Sequence, residues 1–213
     1  MSDAHTKAIA KAAKATLHPL GLRQKGQSRL WIGDNGWWLG IVEFQPSGFS
    51  KGSYLNVAAH WLWSDQGHIS FDLGSGPDWD SRVADFEACE PGEPFDEAAG
   101  RLASVAAQSF SALAGRLPSI EETADVLLSR EANSSAAAGS WSTYHAGVAA
   151  GLAGRSNEAN AMLHSITDTR VRGAAECYRG LTSDAGRFRA MTVSLIETQR
   201  EALRLPAARA ALF

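Results

Sequence analysis

Between Glu43 and Asp72, side chains able to donate, accept or ionise recur at alternate positions: Glu43, Gln45, Asn56, His60, His68, Ser70 and Asp72. In extended chain a period of two places them on one face of a sheet. A histidine beside a carboxylate can serve as a general base or hold an ion, because the carboxylate sets the ring tautomer and raises its basicity. No HxH, HExxH or DxH spacing accompanies these residues. Whether they meet therefore depends on strand register, which a sequence does not specify. With the aromatic residues of the same face, the candidate ligand- or partner-binding set is Trp37, Glu43, Gln45, Tyr54, Asn56, His60, His68 and Asp72. The competing reading is a polar face partly covered by helix. No catalytic residue is assigned, and neither a metal nor a cofactor is expected.

Other chemistries find less support. The glycine-bearing loops PSGFSKGS (46–53) and GSGPDW (74–79) lack the eight-residue GxxxxGK[ST] spacing. Neither stands between a strand and a helix N-terminus, the context in which backbone N–H groups converge on phosphate. GSWST (139–143) and GLTSD (180–184) do not match the G-x-S-x-G elbow of a nucleophilic serine. Cys89 and Cys177 are far apart, with no CxxC or Cys/His spacing, so no zinc site or disulfide framework is signalled. The tryptophans could form a base-stacking platform, but such platforms come with basic neighbours.

The elements that must position the candidate face follow from periodicity. Residues 3–17 read as an amphipathic helix, with Ile9, Ala12, Ala13 and Leu17 on one side and Lys7, Lys11 and Lys14 on another. His18-Pro19 ends it. Four strands follow, Leu22–Ile32, Trp37–Gln45, Tyr54–Trp63 and His68–Leu73, joined by the turns GDNG, PSGFSKGS and SDQG. Short turns between consecutive strands imply an antiparallel meander. One face carries Trp38, Val42, Phe44, Leu55, Val57, Ala59, Trp61, Trp63, Ile69, Phe71 and Leu73 and must be buried. The other is mixed, with a polar centre. Beyond Pro94 the pattern becomes helical: a long helix over 95–117, a capped one from Ser119-x-x-Glu122 to about Glu131, a hairpin over 141–153 and 157–166, and a last helix over 185–205. NSSAAAGS reads as a linker.

The expected fold is thus α+β, a four-stranded antiparallel β-meander packed on an N-terminal helix, followed by an all-helical C-terminal half. The division falls as 1–93 and 94–213, or as one continuous domain. A chain of 213 residues with 45% apolar composition can bury a substantial core. No run of eighteen apolar residues is present and the N-terminus lacks a signal-peptide core, so the expected location is the cytoplasm, with no membrane association. The net charge is −3, and from Asp72 to Glu97 only Arg82 offsets nine carboxylates. Such a field repels phosphate backbones, making nucleic acid an unlikely partner, and favours a basic partner or cation. The plainer reading of the segment is a solvated connector without the D-x-D-x-D-G spacing of a calcium loop.

Two resemblances can be named. LHPLGLRQKGQSRLW (17–31) followed by GWWLGIVEFQPSGFSKGSYLNVAAHWLW (36–63) resembles the bacterial family called domain of unknown function 4304, over about residues 5–75. Leu22 stands where that pattern has an aromatic residue. The resemblance implies a small bacterial α+β protein and brings no catalytic residues with it. By analogy alone it suggests a partner-binding or immunity role. WSTYHAGVAAGLAGRSNEANAMLHSI resembles a single tetratricopeptide-like unit, which cannot form a solenoid by itself and must pack on neighbouring helices. The leading functional expectation is a non-enzymatic protein- or ligand-binding module, with a protein or small ligand as partner. The alternative is a small-molecule-binding protein or hydrolase with a pocket between sheet and helices, using His60, Glu43 and Asp72.

Overall fold

The computed structural model describes residues 4–64, 66–88, 95–133, 140–208 and 212–213. Cys89, part of the acidic segment and most of the NSSAAAGS linker lie outside them. The chain is α+β and forms two compact units. One comprises Met1–His60 and Ser70–Gly115, the other Trp61–Ile69 and Arg116–Phe213.

In the first unit α1 (Ala4–Leu17) buries His5, Ile9, Ala13 and Leu17 at helical spacing, while Lys7, Lys11 and Lys14 stay exposed. Gly21, at φ 84°, makes the left-handed turn into the sheet. The sheet is antiparallel in every pairing resolved and has six strands among the described residues: β1 (Arg23–Gln24), β2 (Leu30–Asp34), β3 (Trp38–Pro46), β4 (Gly52–Trp61), β5 (Leu73–Gly74) and β6 (Arg82–Ala88). β1 to β4 lie side by side in chain order. β5 and β6 then follow one another along the far edge of β4, opposite Ala58–Ala59 and Gly52–Asn56.

Three features of the sheet depart from the sequence reading. The expected strand over 22–32 is split by a turn in which Ser28 N–H donates to the Lys25 carbonyl, giving β1 and β2. The expected strand over 68–73 contracts to Leu73–Gly74, and Phe71, expected in the core, is exposed. Its apolar alternation is real, but the Ser70 backbone N–H is directed to the His60 ring at 3.3 Å, while Asp72 N–H still donates to the Ala59 carbonyl of β4. The acidic stretch, expected as a connector, contains β6. There the β-formers Val83 and Phe86 prevail over the charge, and two register shifts against β4 absorb the irregularity.

One face of this sheet packs on α2 (Asp96–Arg116), which lies within the same unit. Gly33 and Gly40 are directly opposed across β2 and β3. The ring of Phe110 fills the dimple they leave, since a Cβ on Gly40 would lie 2.2 Å from it. Trp31, Trp38, Val42, Phe44, Leu55, Val57 and Ala59 complete a buried layer.

In the second unit α3 (Ile120–Asn133) opens with one half of the expected capping box, Glu122 N–H donating to Ser119 Oγ at 3.4 Å, while the Glu122 carboxylate accepts from that hydroxyl. α4 (Trp141–Leu152) is buried continuously from Thr143 to Ala150 because α3, α5 (Ser156–Ser165), α6 (Thr169–Arg179) and α7 (Ala185–Ala202) all neighbour it. Gly147 and Gly151 admit Leu163 and Phe188 at distances no side chain would allow. The α4–α5 hairpin therefore packs on its neighbours. α6 has no counterpart among the expected elements: its core positions, Val171, Ala175 and Tyr178, are sparse among charges, although Asp168 caps it by accepting from Arg170 N–H. Trp61–Ile69 belongs here too. Trp61 and Trp63 stack at 5.1 Å, Trp63 Nε1 donates to His145 Nδ1 at 3.2 Å, and Tyr144 donates to the Trp63 carbonyl. No helix among the described residues is long and apolar enough to cross a membrane.

Candidate functional site

The second sheet face is divided along its length. At one end Trp37, Leu39, Ile41, Ala58 and His60 are buried. At the other end Glu43, Gln45, Tyr54, Arg82 and Phe86 are partly exposed around a buried Asn56. The candidate residues accordingly separate into two clusters and two outliers.

The open cluster is built on three adjacent strands. β3 contributes Glu43 and Gln45, β4 contributes Tyr54 and Asn56, and β6 contributes Arg82, whose Cα is directly opposite that of Asn56. The Asn56 amide sits at the centre. Its Nδ2 donates to Glu43 Oε2 at 2.9 Å and to Gln45 Oε1 at 3.0 Å, and its Oδ1 accepts from Arg82 Nε at 2.8 Å. Arg82 Nη2 donates to Gln45 Oε1 at 3.0 Å. The guanidinium carbon lies 4.2 Å from the centre of the Tyr54 ring, a cation–π distance, and that ring packs at 5.2 Å on Phe86. Gly52 lets Phe86 in, because a Cβ there would meet the Phe86 ring at 2.4 Å.

Arg82 is the residue that the sequence reading counted only as a lone charge. Two signals pointed to it: it is the one base among many acids, and it sits on a segment with β-forming neighbours. What was missing was the strand, and hence the register that sets it opposite Asn56. Amides and a ring hold this guanidinium, and no carboxylate among the described residues lies within ion-pair distance of it.

The buried cluster is His60, Ser70 and Asp72. His60 Nδ1 lies 3.1 Å from Asp72 Oδ2 and 3.0 Å from Ser70 Oγ, Ser70 Oγ donates to Asp72 Oδ1 at 2.7 Å, and Ser70 N–H points at the same ring nitrogen at 3.3 Å. The residue types are those of a Ser–His–Asp relay, but the geometry differs. A relay uses both ring nitrogens, the carboxylate on one and the serine on the other. Here both converge on Nδ1, while Nε2 is buried with no hydrogen-bond partner among the described residues. These contacts clasp the chain before β5 onto β4.

The outliers are Trp37 and His68. Trp37 is buried and lies 6.3 Å from the Trp38 ring. His68 is exposed in the segment between β4 and β5, its Nδ1 bonded to the Gln66 carbonyl. Neither joins a cluster.

A cavity of about 660 Å³ lies in the helical unit, between α7 and the residues after it, with Val193, Leu205, Pro206 and Phe213 among its walls. No group of three or more His, Cys, Asp or Glu among the described residues is placed to hold a metal ion. Cys177 is an exposed free thiol.

Compared with known proteins, the chain matches no family model, no curated protein and no solved structure.

Proposed function

We propose that this chain is a protein-binding module, and that it docks its partner on the open end of the second sheet face, around Tyr54 and Arg82. The observation that carries this reading is the immobilised arginine. Its guanidinium is held by two amide oxygens and one aromatic ring, and the residue is partly exposed. Arg and Tyr recur at binding hot spots because they bring large contact area with little rotamer entropy left to lose once they are held. A further anchor stands close by in sequence. Phe49, at the tip of the β3–β4 loop, is fully exposed, and its turn is fixed by Ser47 Oγ accepting from Phe49 N–H and Ser50 N–H.

The hydrolase reading finds less support, since the His60 cluster is buried and uses one ring nitrogen for both partners. The resemblance to the family called domain of unknown function 4304 suggests a binding role by analogy alone and contributes no residue to it.

A photo-crosslinking amino acid at position 54 tests the proposal in lysate of the source cell, with the same group at Lys14 on the exposed side of α1 as control. The expected outcome is a discrete adduct from position 54, none from position 14, and loss of the adduct in Arg82→Ala. Absence of any position-54 adduct, or one indifferent to Arg82→Ala, would overturn the proposal.

A further inference from the structure

The way Arg82 is held leaves one particular edge of it free. A guanidinium offers two hydrogen-bonding edges to a pair of oxygens: the side edge, Nε with Nη2, and the end-on fork, Nη1 with the second N–H of Nη2. The side edge is occupied, Nε by Asn56 Oδ1 at 2.8 Å and Nη2 by Gln45 Oε1 at 3.0 Å. Tyr54 covers one flat face at 4.2 Å. The end-on fork has no partner among the described residues, and the side chain is partly exposed.

From this geometry we infer that the Arg82 fork receives a carboxylate with an apolar or aromatic group beside it. The inference rests on the binding reading above and names the chemistry of the group that is bound. A planar pair of oxygens matches the fork, and the neutral amides behind it orient the guanidinium without cancelling its charge. The Tyr54–Phe86 pair beside it provides an apolar wall for the group that carries the carboxylate. The surroundings choose among oxyanions. Glu43 lies across Asn56, Asp80 accepts the Arg82 backbone N–H at 3.1 Å, and Asp85 and Glu87 stand on the same strand. One added negative charge is tolerable in that field where the two of a phosphate are not. Lysine would keep the charge at this position but lose the fork.

A peptide C-terminus and a glutamate side chain share this chemistry, and a titration of the whole isotopically labelled protein followed by NMR separates them. The probes are N-acetyl-glycylphenylalanine, its C-terminal amide, N-acetyl-phenylalanyl-glutamate amide and inorganic phosphate. The expected result is a saturable shift of the Arg82 Nε–H resonance with the free acid, the glutamate peptide or both, none with the plain amide, and weaker binding of phosphate. Which peptide binds identifies the source of the carboxylate. In Arg82→Lys the carboxylate should bind at least about tenfold more weakly, with the remaining amide spectrum unchanged as the check on folding. Equal response to acid and plain amide, no response to either acid, or tighter binding of phosphate would overturn the inference. If the position-54 adduct persists in that case, the carboxylate assignment fails and the binding reading stands. Loss of both removes the reading itself.

Discussion

Tyr178 shows how burial turns one hydroxyl into a pH-dependent contribution to stability. It has no exposed surface, and its O–H donates to Thr192 Oγ1 at 3.1 Å, which in turn donates to the Phe188 carbonyl. Burial pushes its pKa up from 10.0 to about 12, against the smaller opposing effect of its hydrogen bonds. The neutral form is therefore favoured by the fold. Below pH 10 both folded and unfolded chains keep the proton and the stabilisation is fully present. Between pH 10 and about 12 the unfolded chain ionises first, so stability falls as pH rises. Two units correspond to about 3 kcal/mol, an upper figure. Urea unfolding between pH 9 and 12 should show that loss in the wild type and a flatter profile in Tyr178→Phe. The substitution itself should cost about 1 kcal/mol at neutral pH through the missing bond to Thr192. Equal slopes for the two proteins would show that Tyr178 does not titrate as argued. The same principle separates the residues of the candidate site: Asn56 is buried with both amide N–H groups and its oxygen bonded, whereas Arg82 is held on one edge and open on the other.

At the scale of elements, the glycines of the sheet and of α2 have opposite meanings. Gly40 faces Gly33 across two strands, and a methyl group there would lie 2.2 Å from the Phe110 ring. Gly100, on α2, has nothing within 4 Å of the position its Cβ would take. Gly40→Ala should therefore destabilise by about 1–3 kcal/mol through overpacking. Gly100→Ala should be neutral or stabilise by about 0.5–1 kcal/mol through helix propensity. Thermal unfolding of the two single variants checks both, and a neutral Gly40→Ala would mean that α2 yields easily. Such pair effects mark the limit of what periodicity can reveal. The period of two correctly placed Trp38, Phe44, Leu55 and Val57 in the core, and the period of 3.6 located α1 to α5 and α7, because each element's own sequence carries its pattern. β6 and α6 escape because charged residues dilute their patterns, and what stabilises them is packing on other elements: β4 for Arg82–Ala88, and α5 and the more distant α4 for α6. The site was legible in part for the same reason. Glu43, Gln45, Tyr54 and Asn56 share a face by alternation, but Arg82 reaches them only through a strand pairing with two register shifts.

At the scale of the whole molecule, the two units are not two consecutive lengths of chain. Trp61–Ile69 continues directly from β4 yet belongs to the helical unit, and the chain then returns to the sheet unit at Ser70 before entering the helices at Arg116. Within the helical unit this short segment is structural. Trp63 is fully buried, its indole N–H bonds His145, and its carbonyl accepts from Tyr144, two residues of the most buried helix. Residues 116–213 alone would leave the His145 ring and the Tyr144 hydroxyl without these partners and expose the apolar surface that Trp61 and Trp63 cover. Losing two buried tryptophans costs about 3–5 kcal/mol each by the measure of large-to-small substitutions, comparable to the whole stability of a domain of this size. The fragment 116–213 should therefore melt without a sharp cooperative transition by circular dichroism. In the full chain, Trp63→Ala should loosen the helical unit first, seen as faster amide exchange in α4 than in β3. A fragment that unfolds cooperatively at the temperature of the intact protein would show that the helices need nothing from the Trp61–Ile69 segment.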